Sequence, residues 1–282
     1  MEPIATLQAS KRHASGLAFL GDRLVTGGME GALKLWRTDD WRREREIEGH
    51  TASVNGIESW VDGGAVTIGS DKQVRFWDAD WEATGSLTGF VGAAADAAAA
   101  RLLARKDRGD RIYLFETGDE KARAAVATGL SRLGGVWEVP CGWAVAGVDP
   151  VVQLRAAEDL SLQGELGGHG TCVTSLSVVA GGRIVTTDYD GHVHIWETGQ
   201  RVGGFDAGTP GYFFGSASPD GRLLATGSEG AVTLWDLETG KVAGRHEVGI
   251  KGVYGTCWSP DGRWFANAAA DGKVRVFEAP GV

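Results

Sequence analysis

The side chains best placed to do chemistry in this 282-residue sequence are two histidines one residue apart. In His192-Val193-His194, with Asp190 just before, both imidazoles project from one face of an extended strand, where with the carboxylate they could share a zinc ion. A plainer account is stronger. The same two slots hold Gln73 and Arg75 in one segment and Lys273 and Arg275 in another, which makes them ordinary polar strand positions. No metal is therefore expected. The run Trp41-Arg42-Arg43-Glu44-Arg45-Glu46 looks like a basic patch, but its mixed charge suits an exposed strand that must not pair with other molecules. No GxSxG, HExxH, P-loop or dinucleotide-binding glycine pattern occurs, and no cofactor is expected. Cys141, Cys172 and Cys257 are too far apart for a CxxC site and odd in number, so reduced thiols are expected.

Composition narrows what can position these residues. A net charge of −9 with 43% hydrophobic and 23% charged residues describes a soluble globular chain and excludes a disordered one. The acidic balance disfavours nucleic acid as a partner. No stretch approaches the ~18 apolar residues of a membrane-spanning helix, and the opening MEPIATLQASKRHASG lacks an apolar core followed by a cleavage site. No membrane association and a cytoplasmic location are the expectations. The 44 glycines against only 7 prolines imply many tight turns without a collagen-like pattern.

Self-similarity decides the architecture. A short apolar run, a turn, an alternating run and a closing residue recur, with Trp36, Trp77, Phe115, Arg155, Trp196, Trp235 and Phe277 at the closing position, 38 to 42 residues apart and aromatic in all but the fourth unit. Seven units fill residues 1–282 as one domain. Alternation such as Val74 with Phe76, or Val193 with Ile195, has the two-residue period of strands. The segment VGAAADAAAARLLARKD (91–107) has the alanine content of a helix, but the register of its neighbours predicts a strand pair. Short strands on a 40-residue period select an all-β propeller over a sandwich or barrel.

Gly49-His50 with Trp77-Asp78, Gly168-His169 with Trp196-Glu197, Trp235-Asp236, and Ser-Pro-Asp-Gly turns at 218–221 and 259–262 make the chain resemble the WD40-repeat family along its whole length. Both complete units place His and Trp 27 residues apart. The resemblance implies a seven-bladed β-propeller closed by an N-terminal strand, here residues 3–8, in the last blade. It also implies a hydrogen-bonded set in each well-kept blade: His50, Thr67, Asp71 and Trp77 in the second, and His169, Thr186, Asp190 and Trp196 in the fifth. Buried polar groups that are costly alone are tolerable together, so these sets read as structural rather than as a hydrolytic triad. In the first unit Ser10 takes the histidine position, and Arg155 replaces the tryptophan of the fourth.

The same resemblance implies that ligands sit on the top face, around the mouth of the central channel. The slots that point there are Ser53, Asn55 and Ser70 in the second unit, and Cys172, Thr174 and Tyr189 in the fifth. They become Phe213 and Tyr254 in the sixth and seventh, and His13 with Met29 in the first. His13, Met29, Tyr189, Phe213 and Tyr254 thus come from neighbouring blades and predict a binding patch. Arg108, with Arg132, adds positive charge on the opposite arc, suited to an acidic segment. The reading is a non-catalytic scaffold for a protein or peptide, monomeric outside its complex. The alternative is an enzyme or metal-binding propeller with a site near His192 and His194.

Overall fold

The structure is a computed structural model that describes residues 1–208, 214–228, 230–249 and 252–280. Its strands form seven four-stranded antiparallel sheets, each packed against the next around a closed ring. The first blade consists of Ala14–Leu20, Arg23–Gly28, Ala32–Arg37 and Arg43–Glu48, running from the channel to the rim, and the other blades repeat this order. Residues 91–107 contain the strand pair Gly92–Asp96 and Arg101–Arg105, as the register predicts and against their alanine content.

Burial explains the residue types. Second strands such as Ala65–Gly69, Gly142–Gly147 and Ile184–Asp188 are buried at every residue, because another blade covers each face. They are accordingly near-continuous apolar or small runs. Outer strands have no such cover: Arg43–Glu48 is almost wholly exposed, and its charges stand on the rim. The core lies between blades. In one such layer Val25, Leu33 and Leu35 of the first blade meet Val54, Ile57 and Trp77 of the second.

The ring is closed by the Ala5–Gln8 strand, which pairs antiparallel with Lys273–Glu278 from Ala5 opposite Val276 to Gln8 opposite Lys273. Leu7 is buried in the layer shared by the last and first blades, and Ile4 N donates to the Val276 carbonyl just ahead of the strand. Turns between second and third strands, and the links from each outer strand to the next inner strand, fall on one end of the ring. That end is the top face.

Candidate functional site: the top face and its supporting hydrogen bonds

In the second blade, Trp77 Nε1 donates to Thr67 Oγ1 at 2.9 Å, and Thr67 Oγ1 lies 2.9 Å from His50 Nε2. The Asp71 carboxylate can only accept, so the proton of the neutral His50 ring is on Nδ1 and goes to Asp71 at 2.9 Å, and Nε2 accepts the proton of Thr67 Oγ1. Asp71 also accepts from the backbone amides of Thr51 and Gln73, at 3.0 and 3.2 Å. Burial pushes the His50 imidazole below its ordinary range, against the pull of Asp71. Burial pushes Asp71 the other way, but the Thr51 amide, His50 and the Gln73 amide outweigh it and hold the carboxyl low. The pair is neutral imidazole beside carboxylate, a brace with no room for a substrate.

The fifth blade keeps half of this arrangement. Trp196 Nε1 and His169 Nε2 each lie 2.9 Å from Thr186 Oγ1. The expected carboxylate, Asp190, is displaced. Asp188, fully buried, accepts from the Gly170 amide at 3.3 Å and the His192 amide at 2.9 Å, the two positions that correspond to Thr51 and Gln73. The cause lies two residues after the buried threonine. There the second blade has Gly69, whose Cβ would collide with both His50 and Asp71, and the first has Gly28, whose Cβ would collide with Ser10. In the fifth blade a side chain fills that space. The exchange leaves His169 Nδ1 without the hydrogen-bonded carboxylate that His50 has. Burial, then the neighbouring His194, push His169 down to about 4.

The histidine pair borders the same carboxylate. His192 Nδ1 is 3.3 Å and His194 Nε2 3.5 Å from Asp188, the first side chain 41% exposed and the second 4%. One ring faces solvent and the other is packed against His169 and Trp196. Among the described residues no three His, Cys, Asp or Glu side chains converge as a metal-binding group. All three cysteines are free thiols.

Other blades solve the same packing differently. Trp36 donates to Thr26 and Trp235 to Thr226, each at 2.9 Å, without a histidine. In the first blade Ser10 bonds Glu30, and Lys11 N reaches the same carboxylate at 3.0 Å. Arg155, buried in place of a tryptophan, donates to the Leu160 carbonyl at 3.1 Å and to Gln153 Oε1 at 2.6 Å.

On the top face, His13 precedes the first inner strand and stacks on Tyr254 of the last blade, centroids 5.4 Å apart and planes 18° from parallel. Met29, in the turn before Ala32, is 41% exposed, and Tyr254 is 36% exposed. Tyr189 lies further around the ring and borders a depression of about 540 Å³ shared by blades two to five. Phe213 lies outside the described residues. Arg108 is exposed in the turn after Arg105, but the arginines that line the depression are Arg105 and Arg132. Sequence reasoning missed Arg105 and Asp188.

The WD domain, G-beta repeat family profile matches residues 41–78, 160–197, 216–236 and 245–278. Three of these matches begin at or near the outer strand of one blade and finish near the end of the third strand of the next, the offset that a ring closed by a borrowed strand requires. The chain belongs to the WD40-repeat family. Similar curated proteins are WD repeat-containing protein RUP2 from Arabidopsis thaliana, 35% identical over 94 residues, and WD repeat-containing protein RUP1 from the same plant, 34% identical over 87. The alignments cover 32% and 29% of this chain, and about a quarter of each relative, 26% and 23%. WD40 propellers are typically scaffolds for protein interaction, and no helix among the described residues is long and apolar enough to cross a membrane. The third and fourth blades of this WD40 ring, where phenylalanine and arginine close the unit, fall almost entirely outside the four matches, although their sheets are complete.

Proposed function

We propose that this WD40 propeller is a non-catalytic scaffold that binds a protein or peptide across its top face, requiring no metal or cofactor. The observation that carries the reading is the His13–Tyr254 stack with Met29 beside it, exposed apolar surface spanning the seam between two blades. Rigid aromatic side chains offer contact area at small entropic cost and are frequent interface anchors. Tyr189, 38% exposed on the fifth blade, extends the same face. The exposed valines Val202 and Val242 stand instead on outer strands at the rim, away from the top face.

The test is co-purification from the native cell followed by mass spectrometry. Truncating an anchor commonly costs about 2 kcal/mol or more, so Tyr189→Ala with Tyr254→Ala should remove the partner while the melting temperature stays near that of the parent. Val202→Ala with Val242→Ala deletes comparable exposed area from the rim and should retain it. A folded aromatic variant that still captures the partner would refute the top-face assignment.

A further inference from the structure

We infer that the depression at the channel mouth is a subsite for an acidic side chain of a bound peptide, with Arg105 and Arg132 receiving its carboxylate. This rests on the top-face reading above and adds the chemistry of the ligand. Three cations, Lys72, Arg105 and Arg132, line the depression with one carboxylate, Asp107. Lys72 Nζ is 3.4 Å from Asp107, so these two charges answer each other. Two arginines are left over, a local surplus of positive charge in a chain whose net charge is −9.

The surplus is held in place. Arg105 stands opposite Gly92 in the strand register, and a Cβ on Gly92 would come within 2.6 Å of Arg105 Nε. The guanidinium therefore lies across bare backbone. Its Nε is buried against that backbone and has no acceptor, so the end of the guanidinium, whose terminal nitrogens are not among the buried orphans, is the part that an anion in the depression can reach. Burial, followed by the nearby charge of Arg132, pushes the Arg105 guanidinium below its usual range, with Asp107 offsetting part of the effect. Glu58 lines the channel together with Arg105, but no ion pair joins them.

The surroundings favour an anion carried on a peptide over a free one. About 540 Å³ is far more than a bare carboxylate or phosphate fills, and the border includes Val148, 52% exposed, and Tyr189, 38% exposed. These offer apolar contact to residues flanking the acidic one.

The experiment follows the arginine Nε–Hε resonances of the isotopically labelled full chain at low ionic strength, titrated with acetylated hexaglutamate, acetylated hexaglutamine and inorganic phosphate. Hexaglutamate should shift the Arg105 resonance and the Tyr189 amide saturably, and hexaglutamine should not. Arg105→Gln and Arg132→Gln should each weaken hexaglutamate by about tenfold or more, the effect of one charge-assisted hydrogen bond. Arg42→Gln, on the rim, should change nothing. Arg132 is exposed, so Arg132→Gln tests the idea even if Arg105→Gln fails to fold. The assignment is overturned by an absent or unsaturable shift, by unchanged affinity in Arg132→Gln, or by phosphate binding more tightly than hexaglutamate. If hexaglutamate fails while the aromatic variant loses its partner, this inference falls and the top-face reading survives. The reverse pattern has the opposite meaning.

Discussion

At the scale of single residues, one carboxylate position is filled in two ways. Asp71 enters from the turn because Gly69 leaves room, whereas Asp188 enters from the strand and excludes Asp190. Asp188→Ala should therefore strip the Gly170 and His192 amides of their acceptor and destabilise the fold by about 1–3 kcal/mol per orphaned group, and Asp190→Ala should cost much less. Urea denaturation of the two variants checks the order. Acid sensitivity follows from His169. Its folded value of about 4 lies below the unfolded value near 6.5, so the unfolded chain binds more protons between them. Stability is then complete above about 6.5 and falls as pH drops toward 4, by up to about 1.4 kcal/mol per pH unit for this one group. His169→Gln should flatten that limb of the stability curve. In the last blade Asn267 is fully buried at the place of the threonines and neither its amide nitrogen nor its oxygen has a partner. Asn267→Thr should raise the melting temperature, and an unchanged or lower value would mean that the amide is satisfied.

The elements were legible to different depths. Seven blades could be read because the closing position recurs at 38 to 42 residues even where Arg155 replaces the aromatic, and the strand pair within 91–107 because its neighbours set the phase. The Asp188 exchange was not, since it depends on which of two carboxylates finds space beside His169, a question of volume that spacing does not answer. The absence of glycine two residues after Thr186 was the available signal. Arg105 was hidden for another reason: its direction follows from standing opposite Gly92, and that register is known only once both strands are placed. Arg108, three residues on, carries the same charge but stands in the exposed turn that follows the strand. The strand best anticipated is Ala5–Gln8, and it yields a direct test. Removing residues 1–8 would uncover the edge of Lys273–Glu278, so the shortened chain should aggregate and melt earlier. Gel filtration and a thermal melt decide this, and a monomer with the parental melting temperature would be the contrary result.

Taken as a whole molecule, the ring gathers charge along its axis. Glu58, on an inner strand, is reached by solvent through the channel yet surrounded by protein, and burial followed by the proximity of Glu138 pushes its carboxyl up to about 7. A carboxyl raised in the folded state favours folding while it is protonated and opposes it once ionised, so its contribution worsens as pH rises from about 4.5 to 7. Glu58→Gln should stabilise the protein at pH 8 and have little effect at pH 4, as melts at the two values would register. The borrowed strand has a further consequence, in time rather than in space. Residues 5–8 leave the ribosome ahead of their partners 273–276, which emerge only after some 265 more residues have been added. At about 5–20 residues per second that interval is roughly 13–53 seconds. Throughout it six sheets can be assembled while the newborn chain remains an open arc with two bare ends. Until the last repeat is made, the nascent protein offers strangers its own unpaired first strand and the uncovered faces of the blades at either end of the arc.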